Sequence, residues 1–129
     1  MNKSYQRIGF QVRIVQKDNI EELVKRIEPI LGCKFTPGYS DNFQGDFAYI
    51  SSCLGLSIEL LPTDILDIEV SQKFGLFGFT NKNLLCNWPE NHRYTTISMY
   101  ILRLLQTLDD ENWYIPTKKE ILMEAGIYD

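Results

Sequence analysis

Between Arg7 and Gln16 the side chains follow a period of two: Ile8, Phe10, Val12 and Ile14 alternate with Arg7, Gly9, Gln11 and Arg13. That period fits a strand with one buried and one wet face, and it fits no helix. It returns at Leu54, Leu56, Ile58 and Leu60, set against Ser57 and Glu59, and again at Leu66, Ile68 and Val70, set against Asp67 and Glu69. The chain must therefore build a sheet from several half-buried strands and cover one face of it.

The spacing predicts two strands over 47–61 joined by a tight turn near Cys53–Gly55, and a further β segment over 74–80. Within that segment Gly75 and Gly78 mark a bulge or a close backbone approach. Asp18 opens a helix, with Glu21 three residues on as a capping-box partner. Ile20, Leu23, Val24, Ile27 and Leu31 keep helical spacing. Pro29 should end or kink that helix, and Gly32 is a left-handed stop. Residues 34–46 and 81–93 are read as polar loops. From Tyr94 the period turns helical, with Ile97, Ile101, Leu104, Leu105 and Leu108 in one stripe. Trp113-Tyr114-Ile115 is a short extended piece. Thr117 and Glu120 form a capping box for a last helix closed by Gly126. Strands in the middle flanked by helices predict an α+β domain: an antiparallel or mixed sheet of four to five strands, with three helices packed on one face. The 129 residues suffice for a single domain with one core.

Apolar residues make up 44% and charged residues 23%, so disorder is not the expectation. No apolar run reaches the about 18 residues of a membrane span. The N-terminus lacks a signal-peptide core, which suggests a cytoplasmic protein. Cys33, Cys53 and Cys86 are odd in number and widely spaced, as in a chain of reduced thiols.

Net charge is −4, unevenly spread. Residues 1–34 carry seven Lys or Arg and four acids. Residues 35–72 carry six acids (Asp41, Asp46, Glu59, Asp64, Asp67, Glu69) and no base. Phosphate binding relies on Lys and Arg, so this surface suits neither nucleic acid nor anionic lipid. It suits a basic protein.

Catalytic chemistry finds little to use. His92 is the single histidine and would have to serve any dyad with Cys53 or Cys86. It more readily caps the helix expected from Tyr94. Zinc needs short-spaced ligand pairs, which are missing, and Asp67 and Glu69 lack a loop of carbonyls to complete a Ca²⁺ shell. Neither a metal nor a cofactor is expected. Glu59 could pair across strands with Arg13.

The segments Phe47-Ala-Tyr-Ile-Ser-Ser-Cys-Leu-Gly-Leu-Ser-Ile-Glu-Leu-Leu-Pro62 and Trp113-Tyr-Ile-Pro-Thr-Lys-Lys-Glu-Ile-Leu-Met-Glu-Ala-Gly126 resemble small bacterial immunity proteins of the CdiI type. These are inhibitors from contact-dependent growth inhibition and related polymorphic-toxin systems. The resemblance implies a non-enzymatic protein that neutralises the C-terminal domain of one cognate toxin, often a nuclease, by stoichiometric occlusion. It transfers no interface residues. Charge and aromatic placement in this sequence point to Asp41, Phe43, Asp46, Glu59, Asp64, Asp67, Glu69, Phe74 and Trp88, with Tyr39 as a neighbour. The competing expectation is a small-molecule-binding or enzymatic α+β domain using a pocket near Cys53 and His92. Oligomeric state is left open.

Overall fold

The computed structural model describes residues 6–40, 47–63, 72–80 and 93–127. The elements run β1 (Gln6–Gln16), α1 (Ile20–Leu31), β2 (Thr36–Tyr39), β3 (Phe47–Cys53), β4 (Leu56–Pro62), β5 (Gln72–Thr80), β6 (Arg93–Thr96), α2 (Ser98–Leu108) and α3 (Lys118–Glu124). One sheet holds all six strands in the order β2-β3-β4-β5-β1-β6. Every pairing is antiparallel except the parallel pair of β1 with β6. The α+β class and mixed sheet hold, with six strands rather than four to five. The additional strands are β2 and β6, each four residues long: β2 is cut from a stretch read as a polar loop, and β6 from the end of the second such loop and the start of the helix expected from Tyr94. The strand expected over 66–70 lies outside the described residues.

Register explains the core. Val12 stands opposite Leu76 and Ile14 opposite Phe74, while Leu60 faces Leu76 from the other side. These side chains share one face, as the alternation predicted. They meet Leu23, Val24 and Ile27 of α1, Ile101 and Leu105 of α2, and Trp113. Each such buried side chain contributes about 1.5–3 kcal/mol of transfer free energy. Gly78 lies opposite Phe10, and a Cβ there would stand 2.1 Å from the Phe10 ring. The glycine is the close approach its position suggested.

The far edge of β1 is closed in pieces. Ile97 N–H donates to the Gly9 carbonyl at 2.8 Å, and Gln11 N–H donates to Ser98 Oγ at 3.1 Å. Arg13 and Tyr114 exchange both backbone hydrogen bonds, at 2.8 and 2.9 Å. The extended piece at 113–115 thus finishes an edge that β6 only begins.

Helix boundaries differ from the sequence reading in three places. Asn19, not Asp18, caps α1, its Oδ1 accepting from Glu22 N–H at 2.9 Å. α1 runs through Pro29 to Leu31 before Gly32 stops it at φ 69°. So close to the end, and exposed, Pro29 forfeits a single i→i−4 bond. α2 starts at Ser98 because residues 93–96 are drawn into the sheet as β6. Thr117 caps α3 as expected, its Oγ1 accepting from Glu120 N–H at 3.1 Å, while the Glu120 carboxylate accepts from Lys73 and Tyr114.

Helix placement needs a larger correction. α1 and α2 cover the apolar face, but α3 bonds to Arg13 and Lys73, which point to the opposite face. α3 buries no residue. Its attachment is ionic.

Candidate functional site

Two residues expected in an acidic, aromatic patch are interior. Phe74 is fully buried in the core opposite Ile14. Glu59 is 5% exposed, and its carboxylate accepts from the Ser40 hydroxyl at 2.6 Å. Alternation correctly turned Glu59 away from α1 and α2, but that face is covered there. Glu59 cannot pair with Arg13 either, because β5 runs between β4 and β1 and sets Phe77 beside Glu59. The other expected residues, Asp41, Phe43, Asp46, Asp64, Asp67, Glu69 and Trp88, lie outside the described residues, as do His92 and Cys86.

Arg13, read as wet, is 1% exposed. Its guanidinium donates to both Glu124 oxygens, at 2.7 and 3.0 Å, and lies 4.5 Å from the Phe77 ring centroid. Lys73 Nζ bridges Glu120 at 2.9 Å and Glu124 at 2.7 Å. Burial alone would raise the Glu124 pKa, but hydrogen bonds from Arg13 and Lys73 hold it below the usual carboxylate range. Burial would lower Lys73, and the two glutamates hold it above its ordinary value. Tyr114 is pushed up by burial and by donating its hydroxyl to Glu120. This set clamps α3 to the sheet, so its perturbed titration has a structural cause. Among the described residues no three His, Cys, Asp or Glu side chains gather as metal ligands would, and no helix is long and apolar enough to cross a membrane.

The exposed aromatic surface lies on the β2–β3 hairpin. Pairing sets Tyr39 directly opposite Phe47. Tyr39 is 72% exposed and Phe47 46% exposed. Alternation brings Tyr49 onto the same face, with its ring edge-on to Phe47 at 5.5 Å and its hydroxyl 3.4 Å from Glu21 of α1. The seven residues joining the two strands include Asp41 and Asp46 in sequence. Beside the hairpin an open groove of about 340 Å³ is lined by Lys34, Thr36, Tyr39, Ser52, Ser57 and Glu59 among others. Its lining is polar apart from Tyr39 and the isoleucines.

A second exposed apolar surface was missed. Met99, Tyr100 and Leu108 of α2 are each more than half exposed, around a depression of about 500 Å³ that Arg103, Leu104 and Thr107 complete. The signal was in the sequence as two ridges with i,i+4 spacing. Ile97, Ile101 and Leu105 form the ridge that faces the core, and Tyr100, Leu104 and Leu108 form the one that faces out. Compared with protein-family models, curated proteins and solved structures, the chain matches none.

Proposed function

We propose that this chain is an immunity protein, which binds the C-terminal domain of a cognate toxin and blocks it by stoichiometric occlusion. The observation that carries the reading is the exposed Tyr39–Phe47 pair on the β2–β3 hairpin. Exposed aromatic side chains cost solubility and anchor protein interfaces, where a few of them supply most of the affinity. The stretch 35–72 that contains them carries six acids and no base, a composition that draws in a cationic partner. A nuclease that grips phosphate has such a surface.

The reading frame next to this one supplies the test. Its product, expressed as the toxin domain, should bind this chain one to one and lose activity on binding. Tyr39→Ala and Phe47→Ala should each weaken binding by about 2 kcal/mol, the loss expected at an interface anchor. A neighbour that is not a toxin, or a toxin that ignores this chain, would overturn the proposal. Full binding by both variants would move the interface elsewhere, with the outer ridge of α2 next in line.

A second reading, a small-molecule-binding or enzymatic domain, draws on the polar groove and on Glu59, a buried carboxylate in its lining. Glu59→Gln that abolished binding of a small cationic ligand, with toxin binding intact, would favour it.

A further inference from the structure

The outer ridge of α2 is apolar and open to solvent. Tyr100 stands furthest out, 67% exposed, with Leu104 and Leu108 following it at i,i+4 spacing. A rimmed apolar surface of this kind marks an interface. Charge separates the occupants it could take. A nuclease toxin would be cationic and drawn to the acidic stretch 35–72. The α2 surface offers such a partner Arg103 and no acid among its lining residues. Arg103 pairs with no carboxylate among the described residues. The occupant that fits is therefore apolar at its centre and acidic at one end.

A second copy of this chain has that make-up. Gln106 lies three residues from Arg103, on the same flank of α2. Its side-chain amide donates to the carbonyls of Glu111 and Trp113, at 3.5 and 2.8 Å. Those bonds bring Glu111 to the C-terminal end of the flank that carries Arg103. The ridge thus has a cation near its middle and an exposed acid at its end.

We infer that two copies of this chain pair through α2, antiparallel about a twofold axis near Leu104. Tyr100 of each copy then lies against Leu108 of the other, because both stand four residues, about 6 Å of helix rise, from Leu104. The protruding ring of one copy enters the depression of about 500 Å³ on the other. A helical side chain leans toward its helix N-terminus, and in this pair the other helix's C-terminus lies there. Arg103 therefore reaches toward the negative end of the facing helix and toward Glu111 beyond it. A parallel pair would align the two macrodipoles and leave Arg103 without that acid. The contact is isologous, so each favourable pairing occurs twice.

The interface is small. Six residues line the depression, against roughly 20–30 a side in a standard interface. Pairing is therefore weak and depends on concentration. It also leaves the hairpin free. α2 packs on β1, beside the β6 edge of the sheet, while β2 forms the opposite edge. Each copy keeps its Tyr39–Phe47 pair open, and one-to-one binding of a toxin survives pairing. Pairing needs no toxin, so its failure is separable from failure of the proposed function.

Sedimentation equilibrium of the full chain, with a reductant present to exclude disulfides, reads the pairing directly. As loading rises from about 1 μM to about 1 mM, the mean mass should climb from that of one copy toward that of two. Tyr100→Ala removes two anchors from each pair and should raise the dissociation constant by roughly a hundredfold or more. Its thermal midpoint should stay near the parent's, since the ring is exposed. Arg103→Glu and Glu111→Arg should each weaken pairing by about threefold to tenfold at low salt, and the two together should recover it. Monomer mass throughout would overturn the inference, and toxin binding lost in Tyr100→Ala would then assign the ridge to that partner. Parent-like pairing by Tyr100→Ala, or a combined charge variant that pairs no better than the single changes, would overturn it as well.

Discussion

Leu54 sits in the two-residue loop between β3 and β4, with φ 52° and 97% of its surface exposed. Gly55 beside it has φ 79°. Positive φ at both central residues is the signature of the turn that matches strand twist, and Asn-Gly is its preferred pair. A leucine there carries its Cβ against the backbone at a cost of about 1 kcal/mol. Replacing it with Asn removes that cost and an exposed apolar side chain together. Leu54→Asn is expected to raise the thermal midpoint by about 3 °C, the shift that about 1 kcal/mol gives a domain of this size. Differential scanning calorimetry checks it, and a lower midpoint would overturn this account of the turn. In sequence Leu54 extends the apolar alternation of Leu56, Ile58 and Leu60. Periodicity cannot tell the last residue of a strand from the first of a turn. Glu59 and Arg13 were misjudged for a related reason. Alternation assigns a side chain to a face, but whether that face is covered depends on segments remote in sequence.

Among the elements, α3 depends most on charge. It buries no side chain and holds the sheet through Glu120 and Glu124 on Lys73, Arg13 and Tyr114. Arg13 is interior, so deleting its carboxylate leaves the guanidinium, among the described residues, with the Phe77 ring and two neutral acceptors, the side-chain carbonyl of Gln11 and the Val12 carbonyl. Glu124→Ala should cost about 3 kcal/mol, whereas Arg13→Met combined with Glu124→Leu should cost less than the single change. Acid should reproduce part of the single loss. The folded pKa of Glu124 is depressed, so its contribution is complete above the unfolded value, about 4.3, and disappears as pH falls through the folded value. Urea titrations at descending pH should show a steep acid limb in the parent that flattens in Glu124→Ala. An equal limb in both would remove Glu124 as its source. Of α3, the sequence made the start legible, because a helix cap is local chemistry. The face was not legible, since it is fixed by ion pairs to residues remote in sequence, Arg13 with Glu124 and Lys73 with Glu120 and Glu124. β2 and β6 escaped for the opposite reason. Four residues carry too little alternation to stand out, and β2 includes Pro37-Gly38.

On the scale of the whole molecule, charge and aromatic anchors are expected to act on different rates. On the proposed function, the long-range field of residues 35–72 would guide a cationic partner toward the surface, and this guidance would weaken once the Debye length contracts to about 10 Å at 0.1 M salt. As anchors of that proposed interface, Tyr39 and Phe47 would work only at contact, where they must be desolvated before they contribute. Asp41 and Asp46 lie between the hairpin's two strands in sequence, and their acidity was readable there even though β2 was read as part of a loop. Asp41→Lys with Asp46→Lys should therefore slow association with the toxin domain by roughly tenfold at low ionic strength and flatten its dependence on salt. Dissociation should stay near the parent rate. Tyr39→Ala should do the reverse, leaving association and its salt slope intact while speeding dissociation by roughly tenfold or more. Stopped-flow mixing across a salt series measures both. If the lysine pair changed dissociation alone, those carboxylates would belong to the contact itself, and steering by the acidic stretch would have to be abandoned.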